Sequence, residues 1–197
     1  GQPLNRLPVI AESIAGDTAI GHSLCHSQAI EALAGLEVDE GSKIVRTVAL
    51  ELERIACHVG DLAALSGDVA FNPPLNFFGR IRGEFLNLTL TMAGNRFGKG
   101  LVRPGGISFP VLAEHRKIIC DKIADETPGI VNVCDLLFSA HTVLARFEHT
   151  GTVSHETAEK LGLVGYSGRA SGLSYDARVA YPTEAYDTVK ANTNERT

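Results

Sequence analysis

Glu51, Arg54, His58 and Asp61 are separated by three, four and three residues. On a helix that spacing puts them on one face. Two carboxylates, a guanidinium and an imidazole in a row can hold and pass protons. Glu51 with Arg54, and His58 with Asp61, are the natural pairs. If this seam lies inside the protein its charges must be paired; a solvated charged face is the alternative. A second group is His22 and His26, four residues apart with Cys25 beside them. An HxxxH pair can bind a metal, but zinc needs more ligands than two. Cys57 or His58 is the only candidate for a third, so ordinary packed histidines are the favoured reading. A third feature is Arg103, followed by Pro104, Gly105 and Gly106. This reads as a tight turn that holds the arginine in place. The loop lacks the spacing of a phosphate-binding loop, and the chain has no dinucleotide fingerprint.

The seam sits in the stretch Gly41 to Phe71. Ile44, Val48, Leu52, Ile55, Val59, Leu62 and Leu65 recur there at spacings of three and four. The spacing predicts a long central helix, apolar nearly all round and hence buried, with the seam largely inside. Before it, Gln2 to Pro8 is expected to be extended. A helix capped by Asp17 or Thr18 should run to Ala34 and stop at Gly35, with Ile20, Leu24, Ile30 and Leu33 inward. After Asn72-Pro73-Pro74, a third helix spans about Leu75 to Asn95, with Phe77, Phe78, Ile81, Phe85, Leu88 and Met92 buried. A fourth is expected over Val111 to Ala124 and a fifth over Ile130 to Phe147, broken at Pro128-Gly129.

The fold class is therefore mainly α, an antiparallel helical bundle. Residues 1–150 form the helical core of a single domain spanning 1–197. Residues 151–197 form an ordered, loop-rich C-terminal module. Ser154 should start a small helix there and Gly162 end it. The following Gly-, Ser- and Tyr-rich stretch suggests loops with short strands, and the polar tail Thr188 to Thr197 looks frayed or truncated.

Hydrophobic residues make up 44% of the 197, ample for a core, and the formal net charge of -5 argues against a nucleic-acid partner. No apolar run has the length of a membrane span, and no signal peptide opens the chain. Four cysteines without a CxxC pair read as reduced, buried thiols in a cytoplasmic compartment.

Several blocks, taken in order, resemble the large subunit of membrane-bound [NiFe] hydrogenases and the homologous quinone-side large subunit of NADH:quinone oxidoreductase, respiratory complex I. They are GDTAIGHS, AIEALAGLEV, ELERIACHVGDLAALSGDVAF, GNRFGKGLVRPGG, GTVSHETAEKLGLVG and GRASGLSYDARVAYPTEAY. They cover about Glu12 to Tyr186. The GDTAIGHS start is closest to the hydrogenase and formate hydrogenlyase-like branch. The resemblance implies a middle piece of a larger subunit, as an excised piece or a natural short form.

Family members bind a Ni-Fe centre or quinone. The hydrogenase pattern around the first nickel-binding cysteines is roughly E-R-[VI]-C-G-x-C-x-x-x-H. Glu12 and His22 match its flanks, Ser13 stands for the arginine, Ala15 for the first cysteine and Thr18 for the second. Neither replacement supplies the thiolate a nickel–iron site requires. No cofactor is thus expected in this chain. The resemblance puts Glu51, Arg54 and His58 in a hydrogen-bonded network near the former metal pocket, with His22 close by.

Two readings follow. One is an oxidoreductase subunit that pairs with an iron–sulfur small subunit and membrane subunits, peripheral to the cytoplasmic membrane face. Any NAD binding would belong to another subunit. The other is a non-catalytic scaffold or assembly subunit that kept the fold and lost the metal. Either implies an exposed apolar surface for a partner, which self-association into a homo-oligomer would cover in isolation.

Overall fold

The structure, a computed structural model, describes residues 1–188. It is mainly helical, and the chain divides into two compact units, Gly1–Leu144 and Ala145–Thr197.

The first unit opens with a turn of 3-10 helix over Leu4–Arg6 and a short α1 (Leu7–Ala11), so Gln2 to Pro8 is not extended throughout as expected. Pro8 falls in the first turn of α1, where its missing N–H leaves no bond unmade. Helix α2 (Ala19–Ala34) ends as its sequence requires: Gly35 takes φ 63° and donates its N–H to the Glu31 carbonyl. Helix α3 (Glu40–Asp68) begins at Asp39, whose carboxylate accepts from the Ser42 amide at 3.0 Å and the Ser42 hydroxyl at 2.6 Å. Helix α4 (Asn72–Ala93) carries the proline pair in its first turn, so those residues close α3 and open α4.

The successive long helices of this unit run antiparallel. Glu31 meets Arg46 and Gly21 meets Glu53 between α2 and α3. Gly67 faces Leu75, and Gly60 faces Arg82, between α3 and α4. Helix α5 (Ala113–Ser139) returns along α4, joined by the Arg80–Glu126 pair at 3.0 Å and Lys122–Glu84 at 3.2 Å. Between α4 and α5 a two-stranded antiparallel hairpin pairs β1 (Val102–Arg103) with β2 (Gly106–Ile107), with Arg103 opposite Gly106. Gly98 precedes it at φ 66°; a Cβ there would lie 2.5 Å from Ile20 Cδ1, so only glycine fits.

Several expectations are corrected. The fourth and fifth helices are largely one, because α5 continues through Pro128 to Ser139. Pro128 is exposed, so water can serve the carbonyl its ring frees, and Gly129 next to it leaves room for the Phe77 ring. Helix α6 (His141–Phe147) is separate. Leu33 is 86% exposed and Phe77 only half-buried. The cysteines are free thiols but not core residues: Cys25 and Cys120 are exposed, Cys57 and Cys134 half-buried. No single helix among the described residues is long and apolar enough to cross a membrane.

In the second unit Ser154 caps α7 (His155–Leu161) by accepting from the Thr157 amide, and Gly162 ends it. The stretch expected to hold short strands instead forms α8 (Gly165–Ala170), α9 (Ala177–Ala180) and a 3-10 turn over Glu184–Asp187. Asp176 organises it. Its carboxylate accepts from the Arg178 amide at 2.9 Å and from the Arg178 guanidinium at 3.1 and 2.8 Å. That guanidinium holds the carboxyl down at about 2. The tail beyond Thr188 lies outside the described residues.

Candidate functional site

Helix α3 faces the core with Ser42, Arg46, Ala49, Glu53, Ala56 and Ala63, joined at its flanks by Leu52, Val59 and Ser66. The small residues recur at helical spacing, and the two long side chains between them are charged. At about 3.6 residues per turn, Glu51, Arg54, His58 and Asp61 lie on the far side. Glu51 and Arg54 do pair, at 3.2 Å, but each is about one third exposed. His58 and Asp61 are exposed. The seam shares one face as its spacing requires, but that face is the outer one. Ile44 and Leu65, also expected to be buried, are 54% and 44% exposed.

The buried charges form two centres. The first is Arg46, fully buried. Its Nη2 donates to Glu31 Oε1 at 2.6 Å and its Nη1 to Glu31 Oε2 at 3.3 Å, a fork-to-fork pair. The guanidinium also donates to the carbonyls of Arg103 at 2.7 Å and Gly106 at 3.0 Å. Glu31 Oε1 in turn accepts from the Gly105 amide at 2.8 Å. Burial pushes the Glu31 carboxyl up, but Arg46 and the Gly105 amide outweigh it and hold it low. The hairpin turn is thus fixed by backbone bonds to one buried ion pair. The far side of the hairpin is held by Glu12, also buried, whose Oε1 accepts from Arg103 Nη1 and the Gly100 amide, both at 2.8 Å. The turn therefore does hold Arg103 in place.

The second centre is Glu53, 7% exposed. Its carboxylate accepts from the Ile20 amide at 2.7 Å and the Gly21 amide at 2.9 Å, the first turn of α2. Thr18, the local cap residue, makes no side-chain capping bond. Glu53 is the cap, delivered from another helix. Gly21 matters here, since a Cβ would stand 3.3 Å from Glu53 Oε1. Burial dominates the charge balance, and Asp17 adds to it, so the Glu53 carboxyl rises to about 7. Cys57 lies one turn on, its Sγ 3.5 Å from the Asp17 carbonyl. Burial, with Asp17 and Glu53, pushes its thiol up to about 11, so it is no thiolate at neutral pH.

His22 is half-buried on α2 and Cys25 exposed. His26 with Ile30, Leu4, Leu7, Arg103 and Pro104 lines a largely apolar cavity of about 430 Å³. Among the described residues, no three His, Cys, Asp or Glu side chains are placed to hold a metal. Sequence reading missed Glu12, Glu31, Arg46 and Glu53 as buried charges. The signal was present in the Ala49, Ala56, Gly60 and Ala63 spacing around Arg46 and Glu53, because small residues mark the face where a helix approaches its neighbours.

Residues 68–194 match the family described as the 49 kDa subunit of the respiratory-chain NADH dehydrogenase. The chain belongs to this family. Among its relatives is an NADH-quinone oxidoreductase subunit from Carboxydothermus hydrogenoformans, 34% identical over 172 residues, covering 86% of this chain and 46% of the relative. The membrane-bound hydrogenase subunit alpha of Pyrococcus furiosus is 27% identical over 169 residues, covering 86% of this chain and 40% of the relative. The fold is shared with a chain of the membrane-bound sulfane sulfur reductase, an archaeal respiratory membrane complex. Its TM-score is 0.82 at 22% identity, covering 87% of this chain and 46% of that one. The chain thus spans less than half the length of these relatives. Within this chain the Arg46 centre joins α2 and α3 to the hairpin, and the Glu53 centre joins α3 to the first turn of α2.

Proposed function

We propose that the chain is the helical core of a large subunit in a membrane-associated redox complex, pairing there with an iron–sulfur subunit and membrane subunits. Electrons reach that complex through the partner's clusters, and quinone or proton chemistry takes place beside this subunit. The names of the relatives support this reading: an NADH-quinone oxidoreductase subunit and a membrane-bound hydrogenase subunit. The observation that carries it is the rigid junction of α2, α3 and the hairpin, held by buried carboxylates and a buried arginine. A junction of that kind keeps the surface built over it in shape when a partner docks.

A nickel–iron centre does not fit the residues present. Ala15 and Thr18 stand at the matching ligand positions, and Cys57, whose Sγ lies 3.5 Å from the Asp17 carbonyl, is held protonated by burial. This favours a second reading beside the first, a scaffold subunit that organises electron-transfer partners without metal of its own. The two separate on purification of the complex containing this chain. Iron and sulfide tracking a small partner subunit, with quinone reduction lost when this chain is removed, support the redox reading. An assembled complex whose quinone reduction survives that removal supports the scaffold. Stoichiometric nickel retained by this chain through dialysis would contradict the scaffold reading and the misfit of Ala15 and Thr18 to such a centre.

A further inference from the structure

Among the described residues of the first unit, Glu53 is the buried carboxylate whose bonds come from backbone amides alone. Arg46 neutralises Glu31, and Arg103 neutralises Glu12. Glu53 has no ion pair among the described residues; the Ile20 and Gly21 amides hold it. Its charged surroundings are mixed. Asp17, exposed on the segment leading into α2, repels it, and Arg54 on its own helix attracts it. Cys57 is held neutral, and Arg82 of α4 lies beyond Cys57. A carboxylate taken out of water with no cation in contact is costly, and the simplest relief is to bind a proton.

We propose that Glu53 is a proton-binding site whose occupancy is transmitted to the N-terminus of α2 through the Ile20 and Gly21 amides. The carboxylate takes the proton from solvent water, and Asp17 marks the exposed side from which it enters. On protonation one oxygen becomes a hydroxyl, which accepts poorly and must donate. One of the two amide bonds is then weakened, and the first turn of α2 is left with a single good cap. Proton binding at Glu53 needs no electron-transfer partner, so its test is independent of the function proposed above.

The test is a pH titration of the whole chain by NMR, following the Ile20 and Gly21 amide resonances and the Glu53 carboxyl carbon after carbon-13 labelling of glutamate. Both amides and the carboxyl should shift together in one transition centred near pH 7. Asp17→Asn should move that midpoint down, and Glu53→Gln should abolish the amide transition. A carboxyl midpoint below about 5, the ordinary carboxylate range, would overturn the proposal. So would an amide transition unchanged in Glu53→Gln. If Glu53→Gln does not fold, the wild-type carboxyl midpoint and its displacement in Asp17→Asn decide alone.

Discussion

The two ends of the inner face of α3 handle buried charge in opposite ways. At Arg46 the charge is matched: a carboxylate, two backbone carbonyls and a bound amide leave little uncompensated. At Glu53 the charge is met by helix amides only, and burial raises its proton affinity. The first arrangement is a lock that requires both partners to stay ionised. The second tolerates either charge state, which makes it the responsive end. One helix face thus contains a fixed joint to the hairpin and a titratable joint to α2.

The largest expected effect falls on the lock. Arg46→Met should destabilise by about 3–5 kcal/mol, because Glu31 is left buried without its cation. Arg46→Met combined with Glu31→Met should recover much of that loss in a denaturation cycle, since a buried pair is costlier to break than to replace. Additive losses would mean that the two act separately.

The titratable end should behave with the opposite sign. The Glu53 proton affinity is raised in the folded state, so the stability it contributes is present below about pH 4.5 and lost as pH rises through about 7. Glu53→Gln should remove that fall, leaving the variant up to about 3 kcal/mol more stable than wild type at pH 8 on this account. Urea denaturation across pH 5 to 8 measures it. Parallel profiles for the two proteins would put the Glu53 carboxyl in the ordinary range.

The smaller effects lie outside the inner face. Arg80→Ala cuts the exposed pair with Glu126 across α4 and α5, a surface contact worth about 0.2–1 kcal/mol. A loss well above that in thermal melts would show that α5 depends on this pair far more than its exposure suggests.

How much of this was readable beforehand follows from where the sequence concentrates its signal. The end of α2 and the break between α3 and α4 were legible because Gly35 and the Pro73-Pro74 pair act locally; the Asp39 cap of α3 was not read. The antiparallel bundle followed from the short connections. The orientation of α3 was not legible from its largest residues. Ile44 and Leu65 carry strong hydrophobic signal yet face outward, while Ala49, Ala56 and Ala63 carry little and face in. The Glu51 to Asp61 series satisfies the spacing rule for a face, but spacing does not say which face is buried. Glu31 and Glu12 find their partners 15 and 91 residues away, so no local pattern announces them. Pro128 misled because a proline's cost depends on whether water can reach the freed carbonyl, which is a property of the packed helix.

The direct test of the account compares Arg46→Ala with Arg54→Ala in one denaturant series. Both remove a guanidinium from the same helix about two turns apart, one from the inner face and one from the outer. The account predicts a loss of about 3–5 kcal/mol for Arg46→Ala and no more than about 1 kcal/mol for Arg54→Ala. Equal losses, or a larger loss at Arg54, would contradict the assignment of the buried charge to Arg46 and return it to the outer seam.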